Sequence, residues 1–307
     1  MATIAPGTPG VGTSTSADPV TADRTRTSRQ RTPRPVPQSA VLLRRTGAVV
    51  SAAFLFVFGF LVYLFGLSGV AEAHAQSTMF KSFEPELAQA LAPVGPAKEG
   101  TPVAVLNIPE IGLNNTVVVE GTTSRDLTLG PGHVQASALP GEAGWSFIYG
   151  KVATFGAPFA HLMQLKKGDL ITVATGQGVA RYVVHSFGTS RYPAVDDSAN
   201  RLVLMTANSA GIPTEAVQVS ADLVSTPKTN PGDWPAITAQ DEYLASDTSS
   251  LIPLLLWSQA LLFTMIAATV AAHRWSRWPT YLLAAPVVIA VTISIYQNLA
   301  GLLPNVY

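Results

Sequence analysis

The sequence contains no cysteine, although it is 307 residues long. Disulfide bonds, thiolate metal sites and reactions of a cysteine nucleophile are therefore excluded. Charged residues are also scarce, at 12% of the chain, whereas an ordinary soluble domain has about 25%. Because 19 basic residues are balanced by 19 acidic ones, the overall charge gives no sign of a nucleic-acid partner, and none is predicted.

Three long apolar stretches account for the low charge. Residues 46–71, 249–272 and 278–307 contain no Asp, Glu, Lys or Arg, and each exceeds the ~20 residues that cross a bilayer core as a helix. We therefore predict three transmembrane helices, at 46–71, 249–272 and 279–303, with membrane lipid as a partner. Pro304 predicts a frayed or interfacial end for the third.

Basic residues flank these stretches asymmetrically. Seven arginines and two acids lie between residues 18 and 45, and the short loop 273–278 carries one His and two Arg but no acid. The positive-inside rule places both segments in the cytoplasm. We therefore predict a multi-pass protein of the cytoplasmic membrane, with a cytoplasmic N-terminus and with residues 72–247 extracytoplasmic.

The first stretch can also be interpreted as a cleaved signal peptide. Ala71, Ala73 and Ala75 offer cleavage sites of the small-x-small type. The apolar stretch is nevertheless much longer than the ~7–15 residues of an ordinary signal core. We favour an uncleaved anchor.

Composition divides the rest of the chain. Residues 1–45 are rich in Thr, Ser, Pro, Gly and Arg, which predicts a disordered basic cytoplasmic tail. Residues 72–100 are predicted to form an extracytoplasmic stalk with a short helix over 83–91. Residues 227–248, marked by prolines and a glycine, are predicted to be a linker.

Residues 101–226, between stalk and linker, consist of short segments rich in β-branched residues and separated by Gly or Asp turns. Strands at this spacing predict a small closed barrel or a sandwich. One helix is predicted over 156–165, with Phe159 and Leu162 on its apolar face. The predicted strands are 103–108, 116–119, 146–149, 170–174, 180–187, 201–206 and 217–224.

Nine motifs follow one another in this region. They are LNIPEIGL (106–113), VEG (119–121), LGPGH (129–133), SALPGEAG (137–144), FIYG (147–150), TFGAPF (154–159), LKKGDLI (165–171), LVLMT (202–206) and VQVSADL (217–223). Their order is similar to that in the sortases of Gram-positive bacteria, especially actinobacterial ones. The chain resembles this family over residues 104–224. The resemblance implies a mainly β fold, a closed sortase-type β-barrel of about eight strands with one or two short helices, beside the three transmembrane α-helices.

The resemblance also identifies the positions of the family's catalytic groups. Sortases use a cysteine nucleophile, a histidine for proton transfer and an arginine that stabilises charge at the scissile carbonyl. In this chain Lys151 stands at the histidine position, Ala207 at the cysteine position and Ala216 at the arginine position. No catalytic residue is therefore predicted, and the chain is interpreted as a pseudoenzyme. We expect the former groove to be lined by these residues and by the 188–200 loop, either closed by that loop or open for binding.

A relocated nucleophile is the alternative. The hydroxyls and bases near the former centre are Thr206, Ser209, Ser190, His133, His161, His185 and Lys151. Each has a simpler interpretation as a strand, turn or loop residue. As groove or ligand contacts we predict Lys151, Thr206, Ser209 and His133.

No metal or cofactor is predicted. Asp196 and Asp197 with Glu142 resemble acidic loops that bind calcium in some sortases. A solvated loop is the favoured interpretation.

The leading functional hypothesis is a membrane-anchored sortase-like pseudoenzyme of cell-wall or surface-protein assembly. Its partner would be an envelope protein, a sorting-signal-like peptide or peptidoglycan. The alternatives are an active hydrolase or transpeptidase with a non-cysteine nucleophile, and a structural assembly factor of a membrane complex. Gly66, Gly69 and the small residues 267–272 would let the helices approach one another or a membrane-protein partner of the second and third spans.

Overall fold

The computed structural model describes residues 38–194, 198–232, 235–236, 242–243, 245–274 and 277–307. Residues up to Ser51 form one compact unit and residues 52–307 a second, which contains every contact between elements described below. The long helices are α1 (Gln38–Val62), α2 (Ser68–Ala88), α3 (Leu251–Arg274) and α4 (Arg277–Ala300).

Three helical segments are long and apolar enough to cross a membrane, and this confirms the three predicted helices. They are Leu42–Ala88, Thr248–Arg274 and Trp278–Ala300. The first is longer than predicted, because α1 passes through a π-helical turn, Tyr63–Leu67, directly into α2. The short helix expected over 83–91 is therefore the last part of α2. The stalk sequence is rich in Ala, Glu, Gln and Leu, which favour a continuous helix.

Helix α2 is attached to the barrel through Gln76. Its amide nitrogen donates to the carbonyls of Val117 (3.0 Å) and Leu129 (2.8 Å), and its amide oxygen accepts from the backbone N–H of Val117 at 2.8 Å. Further along the helix, Phe83 is 1% exposed and packs beside Val105. The predicted stalk is thus part of the folded domain.

Helix α4 packs against the end of α1 at a glycine that the sequence did not single out. The hydroxyl of Tyr296 donates to the carbonyl of Phe56 at 2.8 Å, and a Cβ atom on Gly59 would lie 2.6 Å from that hydroxyl oxygen. Gly66 and Gly69 were expected to permit close contact between helices, but neither lies at this contact. Gly66 has no atom within 4 Å of a Cβ position, and Gly69 faces the backbone of Gly156 in the barrel domain.

Eight strands form a closed barrel. This confirms the predicted barrel and excludes the alternative of a sandwich. Their order is β1-β2-β3-β4-β7-β8-β6-β5, with β2–β3 and β4–β7 parallel and the other pairs antiparallel. The strands are β1 (Pro102–Ile108), β2 (Leu113–Glu120), β3 (Gly132–His133), β4 (Trp145–Tyr149), β5 (Leu170–Thr175), β6 (Gly178–Thr189), β7 (Arg201–Ala207) and β8 (Ala216–Leu223). The strand missing from the prediction is β3, which is too short to show an alternating pattern.

The helix predicted over 156–165 is wrong. The structure has only a 3₁₀ turn there, Leu162–Gln164. Phe155, Gly156 and Ala157 have φ angles of 50°, 72° and 46°. Three consecutive left-handed residues prevent a right-handed helix from starting at this point.

Strand β7 is buried on both of its faces. Leu202 and Leu204 point into the barrel core, whereas Val203, Met205 and Ala207 belong to a second apolar cluster outside the barrel. Alternation along the strand therefore places Ala207 on the outer face. A strand covered on both sides explains the continuous apolar run LVLM.

Candidate functional site

The three positions that the sequence resemblance assigns to catalytic groups, Lys151, Ala207 and Ala216, meet at one end of the outer face of β7. Ala207 and Ala216 are paired across β7 and β8. Lys151 follows β4, which runs parallel to β7 with Tyr149 opposite Met205. The N–H of Gly150 donates to the carbonyl of Met205 at 3.0 Å and continues this pairing up to Lys151.

Gly150 shapes the floor of this site. A Cβ atom at that position would lie 2.4 Å from the ring of Phe159. The carbonyl of Gly150 accepts a 2.7 Å hydrogen bond from the buried hydroxyl of Thr206. Thr206 therefore ties β7 to the strand end that carries Lys151.

The groove above these residues is filled by the chain itself. Residues 303–307, which follow α4, lie along it. The side chain of Val306 is 0% exposed and belongs to the cluster that contains Tyr149, Met205, Ala207 and Ala216. The backbone N–H of Val152 donates to the carbonyl of Val306 at 3.2 Å.

Lys151 contacts the backbone of this segment. Its side chain is 1% exposed, and its ammonium nitrogen lies 3.1 Å from the carbonyl oxygen of Asn305 and 5.5 Å from the ring centre of Phe155. Burial lowers the pKa of Lys151 to about 7. Thr154 adds a 2.7 Å hydrogen bond from its hydroxyl to the backbone oxygen of Tyr307.

A second segment covers 303–307 on its other side. The backbone N–H of Asn305 donates to the carbonyl of Ala245 at 2.9 Å, and the N–H of Val306 donates to the carbonyl of Tyr243 at 3.2 Å. The side-chain amide of Asn305 donates to the carbonyl of Glu242 at 2.8 Å. Residues 303–307, called the groove segment below, are therefore held between the barrel and the residues that precede α3. The chain that follows α4 is not frayed.

The 188–200 loop was expected to line the groove and either to close it or to leave it open for binding. In its described part, the N–H of Ser190 donates to the carbonyl of Ala216 at 2.8 Å, and its hydroxyl accepts from the N–H of Ala216 at 3.2 Å. The outer face of Val203, Met205 and Ala207 is covered by 303–307 through the side chain of Val306. This segment forms a turn, in which the N–H of Tyr307 donates to the carbonyl of Pro304 at 3.0 Å.

The other predicted site residues lie in separate environments. Ser209 is in a partly exposed loop, where its hydroxyl accepts from the N–H of Gly211 at 3.0 Å. His133 is 0% exposed in β3, with Nδ1 3.0 Å from a carboxylate oxygen of Glu120 and Nε2 2.9 Å from the carbonyl of Ala138. These contacts give His133 a role inside the barrel wall.

Within the described residues, no group of three His, Cys, Asp or Glu side chains is arranged to hold a metal ion. The carboxylate of Glu142 accepts hydrogen bonds from the N–H of Leu139 (3.0 Å) and from the side chain of Gln177 (2.6 Å). Asp196 and Asp197, the other members of the possible calcium loop, lie outside the described residues.

The site residues that sequence reasoning missed are those of 303–307 and their neighbours Glu242, Tyr243 and Ala245. The groove segment is bound mainly through backbone atoms, which any residue type supplies. The only signal available was that apolar residues continue after the end of α4 at Ala300, with Leu302, Leu303 and Val306.

Residues 106–224 match the family model described as the sortase domain. Sortase E from Streptomyces avermitilis is 27% identical, with 42% of this chain and 91% of that chain covered and a TM-score of 0.37. The Clostridium perfringens sortase D5 transpeptidase is 21% identical over 50% of this chain and 99% of its own, with a TM-score of 0.41. The SrtF sortase from Corynebacterium diphtheriae is 25% identical over 49% and 99%, with a TM-score of 0.37. No curated protein matches the chain.

Proposed function

We propose that this chain, whose residues 106–224 form a sortase domain, is a catalytically inactive, membrane-anchored protein of the cell envelope. At the nucleophile position, the methyl group of Ala207 has no lone pair with which to attack a carbonyl. The adjacent hydroxyl of Thr206 is buried and donates to Gly150. Lys151 directs its ammonium group to the carbonyl of Asn305. These contacts support binding of a peptide backbone, with the hydroxyl of Thr206 and the amine of Lys151 both engaged by backbone carbonyls.

The occupied groove is the observation that carries this proposal. Lys151, Val152 and Thr154 each donate to a backbone oxygen of 303–307, and the pocket beside Ala207 takes a β-branched side chain. We propose that the groove is a peptide-binding site that holds the chain's own segment. An envelope peptide, such as a sorting-signal-like peptide, a peptidoglycan stem or a segment of a surface protein, would take its place when the segment leaves.

A structural assembly factor is the second candidate, and the docking of 303–307 on the barrel favours it as well. The groove segment connects the barrel to the end of α4, and Asp247, just before α3, donates its N–H to Gly301 at 3.0 Å. A permanently docked segment would fix the barrel to the helices. The exposed apolar faces of α3 and α4 would then be available to a membrane-protein partner.

The arrangement of the helices supports an extracytoplasmic barrel. The start of α3 and the end of α4 meet at the barrel, so that the basic residues His273, Arg274 and Arg277 lie at the far end of this helix pair. The positive-inside rule assigns these residues to the cytoplasm. We therefore propose that the N-terminus is cytoplasmic and that the barrel lies outside.

Peptide binding by a released groove distinguishes the two candidates. A fluorescent peptide that copies residues 302–307 is titrated in detergent into the full chain and into its Val306→Asp variant. The variant would bury an unpaired carboxylate if the segment stayed docked. We expect binding to the variant and little to the parent. A copy with the Val306 position changed to Asp is the control peptide. A released groove that binds neither peptide would leave only the structural assembly factor.

A further inference from the structure

A cavity of about 500 Å³ lies apart from the groove, where the helix ends meet the barrel. Its walls come from α2 (Ala71, Ala75), from the barrel loop that carries Arg125, from the start of α3 and from the end of α4. Gln76 holds the α2 wall against the barrel through its bonds to Val117 and Leu129. The cavity is thus framed by elements that are fixed to one another.

The polar end of the cavity has one free cation. Arg125 forms no ion pair with any residue in the described part of the chain. The one carboxylate in the lining, that of Asp247, accepts from the N–H and hydroxyl of Ser249, at 2.9 and 2.5 Å, and from the hydroxyl of Ser250 at 3.3 Å. The carboxylate oxygens of Asp247 are therefore engaged at the start of α3 and form no ion pair with Arg125, whose guanidinium group is available to an anion.

The other end of the cavity is apolar and lies deeper along the helices. The lining there includes Pro253 and Trp257 of α3 and Tyr63, which lies in the π-helical turn before α2. Trp257 is six residues from the start of α3, a depth of about 9 Å along the helix axis. Tryptophan is characteristic of the interface between headgroups and acyl chains. The ring of Trp257 is 39% exposed, so that a neighbouring chain can pack on it.

We propose that this cavity binds a phosphate-bearing membrane lipid, with the phosphate at Arg125 and an acyl or prenyl chain along Trp257. Arginine matches phosphate geometry through two parallel N–H donors. The proposal uses the membrane placement of the proposed function but not its groove, so that peptide binding and lipid binding can fail separately.

The test measures lipid binding to the full chain by native mass spectrometry from a neutral detergent. Phosphatidylglycerol is compared with diacylglycerol of the same chains, which lacks the whole phosphoglycerol headgroup. We expect preference for phosphatidylglycerol by about tenfold or more, as for a hydrogen bond to a charged group. Arg125→Gln should abolish this preference. Arg181→Gln, which removes an exposed cation on β6, should leave it unchanged.

Two further measurements separate lipid from soluble phosphate. Trp257→Ala should weaken the binding of both lipids, because it removes the surface for the chain. Soluble glycerol phosphate should compete poorly with phosphatidylglycerol. Equal binding of the two lipids, an unchanged preference in Arg125→Gln, or glycerol phosphate binding as tightly as the lipid would each overturn the proposal.

Discussion

The ammonium group of Lys151 lies 3.1 Å from the backbone carbonyl of Asn305, a residue 154 positions further along the chain. This hydrogen bond joins the end of β4 to the segment that fills the groove. The side chain of Lys151 is 1% exposed, and its ammonium nitrogen lies 5.5 Å from the ring centre of Phe155. A buried cation in such a place is costly, because a carbonyl dipole and an aromatic face replace only part of its hydration.

Lys151→Met should therefore fold at least as stably as the parent at pH 6. Methionine keeps most of the side-chain volume and removes the buried charge. Lys151→Ala removes both and should be less stable than Lys151→Met by about 2–5 kcal/mol, the usual cost of emptying a buried side-chain site. Unfolding of the full chain in detergent measures the difference. Equal stability of the two variants would show that the site is not packed as described.

The parent should become more stable as pH rises from about 7 towards 10.5. The pKa of Lys151 is lowered to about 7 in the folded protein from an ordinary 10.5, because burial disfavours the charged form. Between these values the unfolded chain binds more protons than the folded one, so the free energy of unfolding rises with pH. Below pH 7 Lys151 no longer makes the free energy of unfolding rise with pH.

Lys151→Met is the matched control for the pH dependence. Its stability profile should lack the component that the parent gains above pH 7. Identical profiles for parent and variant would assign the pH dependence to other groups and would contradict a buried, titrating Lys151.

Cysteine labelling can test the docked segment, because the chain has no native thiol to interfere. Ala207→Cys places a thiol beneath Val306, where it should react slowly with a maleimide. Adding Val306→Asp should displace the segment and raise the labelling rate by at least about tenfold, since keeping an unpaired carboxylate there would cost several kcal/mol. Ile212→Cys, at a side chain 86% exposed, is the control and should label equally fast in both backgrounds. Fast labelling at position 207 in the docked background would contradict the filled groove.

Single cysteines also test the membrane topology. In intact cells, an impermeant maleimide should label Ile212→Cys, in the barrel, and should not label His273→Cys, near the turn between α3 and α4. After the cells are opened, both should react. Labelling of position 273 in intact cells would contradict the assignment of the basic turn to the cytoplasm.

The sequence identified the barrel because nine motifs keep their order, and because short segments rich in β-branched residues mark seven of the eight strands. It could not reveal β3, which has only Gly132 and His133. The assignment of catalytic positions to Lys151, Ala207 and Ala216 stays a prediction. The contact of Lys151 with Asn305 could not be foreseen, because local patterns do not connect residues so far apart in the chain. The left-handed backbone of residues 155–157 likewise prevented the helix that the apolar pattern of 156–165 had predicted.

Restoring the catalytic groups should produce activity only when the groove is also emptied. The variant Lys151→His, Ala207→Cys, Ala216→Arg supplies a base, a nucleophile and a cation at the three positions. The arginine side chain and an incoming peptide need the space that Val306 fills now. We therefore expect cleavage of a sorting-signal peptide when Val306→Asp is added to this triple variant, and little without it.

Turnover in this experiment is measured by release of the peptide's C-terminal fragment. The same variant with Ala207 left unchanged is the control, since it lacks the thiol. Equal activity with and without Val306→Asp would contradict occlusion by 303–307. Inactivity of both, while the released groove still binds the peptide copy of 302–307, would mean that the groove keeps peptide affinity but has lost the geometry for attack. Loss of binding as well would favour a purely structural role, in which the docked segment serves to hold the barrel on α4.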